Sequence, residues 1–252
     1  MLPISSFNII YYDFKLIIRL KTIHSKSIFV NKIKIMAKSQ VKQVVTYEVF
    51  FETGIIKNQH FPRVYELNKN LCYGFTYIEY LDSILRAEES FVVKSQLLKS
   101  YVLTGMSLVE AILFYLIKSN DLQKKENYEI MNTYVSNEQD LNGEKVKIET
   151  RLLKKLEQPK PVEMNLDSML KKAESKKLLG DDVELYRKLN HLRKLRNKVH
   201  IHIAEYLKHD FNSFKVADYE TMKDILLSIV ESNIFNPTHR PTNEIFDFLK
   251  KN

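Results

Sequence analysis

The sequence predicts an all-α fold, a helical bundle of four to five long helices. A short N-terminal β or irregular segment and a small C-terminal tail helix complete it. Three observations carry this expectation. Glycine and proline, the strongest helix breakers, number only five and six in 252 residues. Apolar residues recur at three- and four-residue spacing over most of residues 64–235. Turn-forming and capping residues punctuate those stretches at helical lengths. Hydrophobic content of 44% and charged content of 28% are those of a globular chain able to bury a core.

In chain order, residues 1–35 read as a basic leader or an upstream extension, with Met36 as the alternative start. Their apolar runs, broken by Asp13, Lys15, Arg19 and Lys21, are shorter than the ~20 residues that span a bilayer. Residues 36–63 form an arm holding one expected strand, Gln43–Phe51, which is dense in β-branched and aromatic residues and ends near Gly54. Residues 64–90 place Leu67, Leu71, Phe75, Ile78, Leu81 and Leu85 on one helical stripe. Residues 92–118 are apolar on nearly every face and predict a central helix. Lys94, Lys99, Glu110 and Lys118 argue against a membrane span there, and Glu110 requires a partner.

Residues 127–143, rich in Asn, Glu, Gln and Asp, read as a loop. Residues 144–158 and 163–179 read as helices separated by Pro159 and Pro161, so that 127–179 forms an insertion in a domain spanning 64–235. Their mixed charges suit a solvated face. Gly180 ends the second of these helices, and Asp181 or Asp182 caps the next, which runs to about residue 203. Asp218 caps a further helix through Ile234, with Met222, Ile225, Ile229 and Val230 facing the core. Pro237 and Pro241 precede the tail, residues 236–252.

The formal charge of +8 is unevenly spread. Residues 1–35 carry six basic side chains against Asp13, which leaves +3 on the remaining 217 residues. Net charge alone therefore does not make the body a nucleic-acid binder, and any basic site is local. The single cysteine, Cys72, excludes an intramolecular disulfide and fits a reducing, cytoplasmic setting. No phosphate-cradling or dinucleotide glycine motif is present, and His200-x-His202 lacks a nearby carboxylate pattern to complete a metal site. No cofactor is expected.

The most informative stretch is Leu192–His202. With Leu185 set at zero and about 100° per residue, Leu189, Leu192 and Val199 fall within about 40° of it. Arg196 lies only about 20° from that stripe, where a leucine belongs. A guanidinium stays charged and is costly to bury alone, so Arg196 needs an acidic partner or a cleft. Arg193 and His200 flank the stripe at about 80° and 60°. Two cations, an imidazole and Asn197 beside one seam suit an anionic ligand.

The long apolar helix with its central Glu, the insertion, the helix bearing Leu195-Arg196-Asn197 and a following His, and the closing helix together resemble the HEPN superfamily over residues 64–235. Its motif is an Arg, usually with a polar neighbour, then four to six residues before a His. Arg196-Asn197 to His202 has five intervening residues; Arg193 to His200 has six, but Lys194 as neighbour; Arg196 to His200 has three. On an unbroken helix His202 points about 120° from Arg196, whereas His200 lies about 40° away. His200 is thus the first candidate and His202 the alternative.

The resemblance implies a metal-independent endoribonuclease working as a homodimer, of a kind found among toxins and antiphage effectors, with a possible antitoxin partner. Cleavage by the RNA's own 2′-hydroxyl needs a base, an acid and positive charge on the phosphorane oxygens. Histidine suits the first two roles and arginine the third. Asn197 would orient a phosphate or the partner copy's arginine, and Glu110 would be the arginines' structural partner. Two bland alternatives stand beside this. Arg193 and Arg196 simply pair with Glu110 or Glu184, or the chain is a noncatalytic module binding RNA, nucleotide or a protein.

Overall fold

The structure, a computed structural model, describes residues 47–55, 58–88, 90–198, 213–235 and 243–250. Its framework is helical, but the fold is mixed α and β, not all-α. A short helix α1 covers residues 47–54. Then come α2 (Val64–Ala87), α3 (Phe91–Ser119), four strands, α4 (Leu166–Ser175), α5 (Val183–Arg196), α6 (Val216–Glu231) and a 3-10 turn at Asn243–Leu249.

The strands correct the expected loop at 127–143 and helix at 144–158. β1 (Lys125–Val135) and β4 (Glu149–Pro161) pair antiparallel, and the small ladder β2 (Gln139–Leu141) with β3 (Glu144–Val146) closes the tip. The chain reverses at Asn142-Gly143, both with positive φ (55° and 86°), the backbone demanded by a tight hairpin turn. Cross-strand pairs such as Ile130 with Leu153 and Glu129 with Lys154 take the place of the expected helical contacts. Pro159 falls within a break in the ladder between Lys155 and Lys160, where its missing N–H costs no ladder bond.

The expected strand over Gln43–Phe51 is also corrected in its described part. Residues 47–54 are helical because Tyr47, Phe50 and Phe51 recur at helical spacing and are all buried, while Val49 between them is exposed. Their rings meet Phe75 of α2, Phe235 after α6 and Phe246 of the 3-10 turn. The first and last described elements therefore share one core with the central helices.

That core centres on α3, whose Tyr101, Val102, Gly105, Met106, Val109, Ile112 and Leu113 are buried. It is long and apolar enough to cross a membrane, but 61% of its most apolar window is buried within the protein. Two of its neighbours, α4 and α5, are joined by a tight connection. Gly180 takes φ of +94°, Asp182 caps α5 through the Glu184 amide at 2.9 Å, and the Tyr186 hydroxyl donates to the Ala173 carbonyl at 3.1 Å. The 163–179 segment, expected as a solvated face, instead buries Met169, Leu170 and Ala173 as α4. At α6 the cap is Lys215, with Asp218 at the third helical position accepting from the Lys215 amide at 2.9 Å.

Candidate functional site

The end of α5 sits against α3 and α4, because Leu185, Leu189, Leu192 and Leu195 are buried on one side of it. This burial carries Arg193 and Arg196 to the seam. Arg196 Nη2 lies 2.8 Å from Glu110 Oε2 of α3, and Arg193 Nη2 lies 3.0 Å from Asp167 Oδ1 of α4. Each arginine thus ties α5 to a different helix.

Burial decides what these pairs are. The Arg196 and Glu110 side chains are 31% and 32% exposed, so this is a partly exposed pair and not a charge pair sealed in the core. Such pairs contribute about 0–1 kcal/mol to stability, little enough for an incoming anion to compete with the carboxylate. Arg193 is more enclosed, at 18% exposure, and its Nε is buried with no hydrogen-bond partner. A guanidinium has five N–H donors in a fixed fork. The carboxylates occupy only part of each fork.

Asp167 is shared. Lys171 Nζ sits 2.7 Å from it one turn along α4, on the side away from the Arg193 contact. The Lys171 hydrogen bond, with the Arg193 charge behind it, holds the Asp167 carboxyl below its usual range. Asp167 follows Asn165, whose side chain caps α4 by accepting from the Ser168 amide at 2.9 Å. The Asn165 cap signals where α4 begins, but nothing in the sequence links Asp167 to an arginine 26 positions later on another helix.

Asn197 is the exposed C-cap of α5, its amide donating to the Arg193 carbonyl at 3.2 Å. It therefore stands beside both arginines at the helix end, where guanidinium charge also meets the negative end of the helix dipole. His200 and His202, the two candidate imidazoles, lie outside the described residues. Glu184, the alternative partner for the arginines, pairs instead with Arg187 at 2.7 Å. His191, on the far side of α5, meets Asp218 of α6 at 2.8 Å and takes no part in the seam.

An apolar recess of about 290 Å³ opens at the root of the hairpin, along the same α3 and α4 stretches that carry Glu110 and Asp167. Phe114, Ile117, Met164 and Met169 line it, with Lys118 set 4.7 Å above the Phe114 ring. Among the described residues, no group of three His, Cys, Asp or Glu side chains is placed to hold a metal. Set against known proteins, the chain matches no family model, no curated protein and no solved structure.

Proposed function

We propose that the protein is a metal-independent endoribonuclease of the HEPN type that acts as a homodimer. The observation that carries this reading is Arg196. It is the last residue of α5, partly exposed, oriented by Glu110 and followed directly by the exposed Asn197. A cation fixed by one carboxylate and still offering free donors is prepared to stabilise the extra negative charge of a phosphorane. Arg193 adds a second guanidinium on the same seam, and the recess lined by Phe114 and Met169 offers a nucleobase an apolar surface.

In this mechanism Arg196 and Arg193 bind the scissile phosphate and neutralise its developing charge. A histidine following α5, His200 first and His202 second, transfers the proton of the 2′-hydroxyl or supplies one to the leaving 5′-oxygen. The second copy supplies the complementary acid or base. The product is a 2′,3′-cyclic phosphate. A cellular role as a toxin or antiphage effector, with an antitoxin partner, follows from the resemblance alone.

One observation favours a second reading. Both arginines are already paired, Arg196 with Glu110 and Arg193 with Asp167, as in a helical module whose arginines are structural ties. Incubating end-labelled RNA with the full chain in excess EDTA separates the two. The ribonuclease reading expects cyclic-phosphate ends, lost in Arg196→Ala and in either His200→Ala or His202→Ala. A folded wild-type chain that leaves RNA intact while Arg196→Ala only lowers stability establishes the noncatalytic module.

A further inference from the structure

A second site lies away from the arginine seam, where α2, the first turns of α3 and the start of α6 enclose a pocket of about 480 Å³. That volume falls in the range of small-molecule sites. Three cations from three helices line it: Arg86, Lys94 and Lys223. Lys223 is 3% exposed, so its ammonium is almost wholly withdrawn from bulk water.

The protein meets that ammonium with two long polar contacts and with the Tyr219 ring, 5.2 Å away. Lys223 Nζ is 3.4 Å from Asp82 Oδ1 and 3.5 Å from the Tyr219 hydroxyl, both at the outer limit of useful contact. Asp82 is itself heavily used, since it also takes Arg86 Nε at 2.8 Å and the Tyr219 hydroxyl proton. One carboxylate therefore serves two cations. Lys94 has no ionic partner among the described residues, and Glu220 is the one acid lining the pocket, Asp82 lying behind its wall. Arg86, Lys94 and Lys223 thus stand against Asp82 and Glu220, an excess of one positive charge around the pocket.

We propose that this pocket binds a small organic phosphate, with its phosphoryl group against Lys223, Lys94 and Arg86. A phosphomonoester carries close to two negative charges and three terminal oxygens at neutral pH, which suits three cations better than a carboxylate does. The pocket is much larger than a phosphate ion. Leu85, Leu98 and Val216 provide an apolar wall for the organic part. This site stands independently of the ribonuclease reading.

The test is calorimetric titration of the full chain with phenyl phosphate, inorganic phosphate and benzoate, ionic strength being held constant with chloride. Phenyl phosphate is expected to bind saturably, with benzoate about tenfold weaker and inorganic phosphate weaker than the phenyl ester. Lys94→Ala is expected to weaken phenyl phosphate about tenfold with no loss of fold, because Lys94 makes no ion pair to break. Glu220→Gln is expected to tighten it. Absence of saturable binding overturns the proposal, as does equal binding of benzoate. Unchanged affinity in Lys94→Ala also overturns it by placing the ligand elsewhere. RNA cleavage is not a readout here, so the two proposals fail separately.

Discussion

Arg196 is tied to Glu110 by a pair too exposed to contribute much stability. Its pair with Glu110 is about one-third exposed at both ends, so a double-mutant cycle between Arg196→Ala and Glu110→Ala is expected to give a coupling of about 0.3–1 kcal/mol in urea unfolding. A coupling of several kcal/mol would instead mark a sealed structural pair and argue against a free cation. Gly105 is the opposite case, a residue whose value is its lack of a side chain. A Cβ built there would stand 2.6 Å from both Cγ and Sδ of Met222, at the crossing of α3 and α6. Alanine gains about 1 kcal/mol of helix propensity, but overpacking costs about 1–3 kcal/mol. Gly105→Ala is therefore expected to lower the urea midpoint, and a raised midpoint would show that Met222 moves aside freely.

Among the elements, the hairpin departs furthest from the rest of the molecule. Nearly every residue of β1 and β4 is exposed, including Tyr128, Ile130, Met131, Tyr134, Leu152 and Leu153, and neither strand packs extensively on a helix. Two strands alone are marginally stable, so the arm rests on cross-strand pairs and on its turn. Lys154, Lys155, Lys160 and two prolines on β4 oppose the addition of further strands at that edge. The arm joins the body where the Val162 amide donates to the Lys124 carbonyl at 2.9 Å, which brings its two ends together. Replacing residues 125–161 by a short glycine linker is expected to leave one cooperative thermal transition and an undiminished helical circular dichroism signal. Loss of cooperativity would show that the hairpin supports the core.

At the scale of the whole molecule, the single core couples stability to alkaline pH. Burial pushes the Cys72 thiol up to about 12, and burial first, then neighbouring carboxylates, raises the phenols of Tyr47, Tyr101 and Tyr219 above their ordinary value. In the unfolded chain a thiol ionises near about 8.5 and a phenol near about 10. The folded state thus holds protons that the unfolded state releases, and stability falls as pH rises between those limits. Full stability is expected below about pH 8.5, with a falling urea midpoint from there to about pH 11. A flat midpoint across that range would show that these groups are not withdrawn from water.

The sequence by itself determined the long helices, because a stripe of leucines and aromatics recurring every three or four residues has one low-energy arrangement in water. Leu67 to Leu85, the apolar run around Met106, and Met222 to Val230 all lie where that period puts them. It also placed Arg196 beside a buried stripe and left Glu110, on the central helix, in need of a partner. The hairpin was signalled locally by Asn142-Gly143, yet the mixed lysines and acids of residues 144–158 imitate a solvated helix. Residues 47–51 made the reverse exchange, aromatic composition suggesting a strand where the Tyr47, Phe50 and Phe51 spacing gives a helix. Only the tertiary structure decided which charges meet. Asp167 with Arg193, and Asp82 with Tyr219 and Lys223, join helices far apart in the chain. Helical period fixes the face on which a charge stands, but the packing of one helix on another selects its partner.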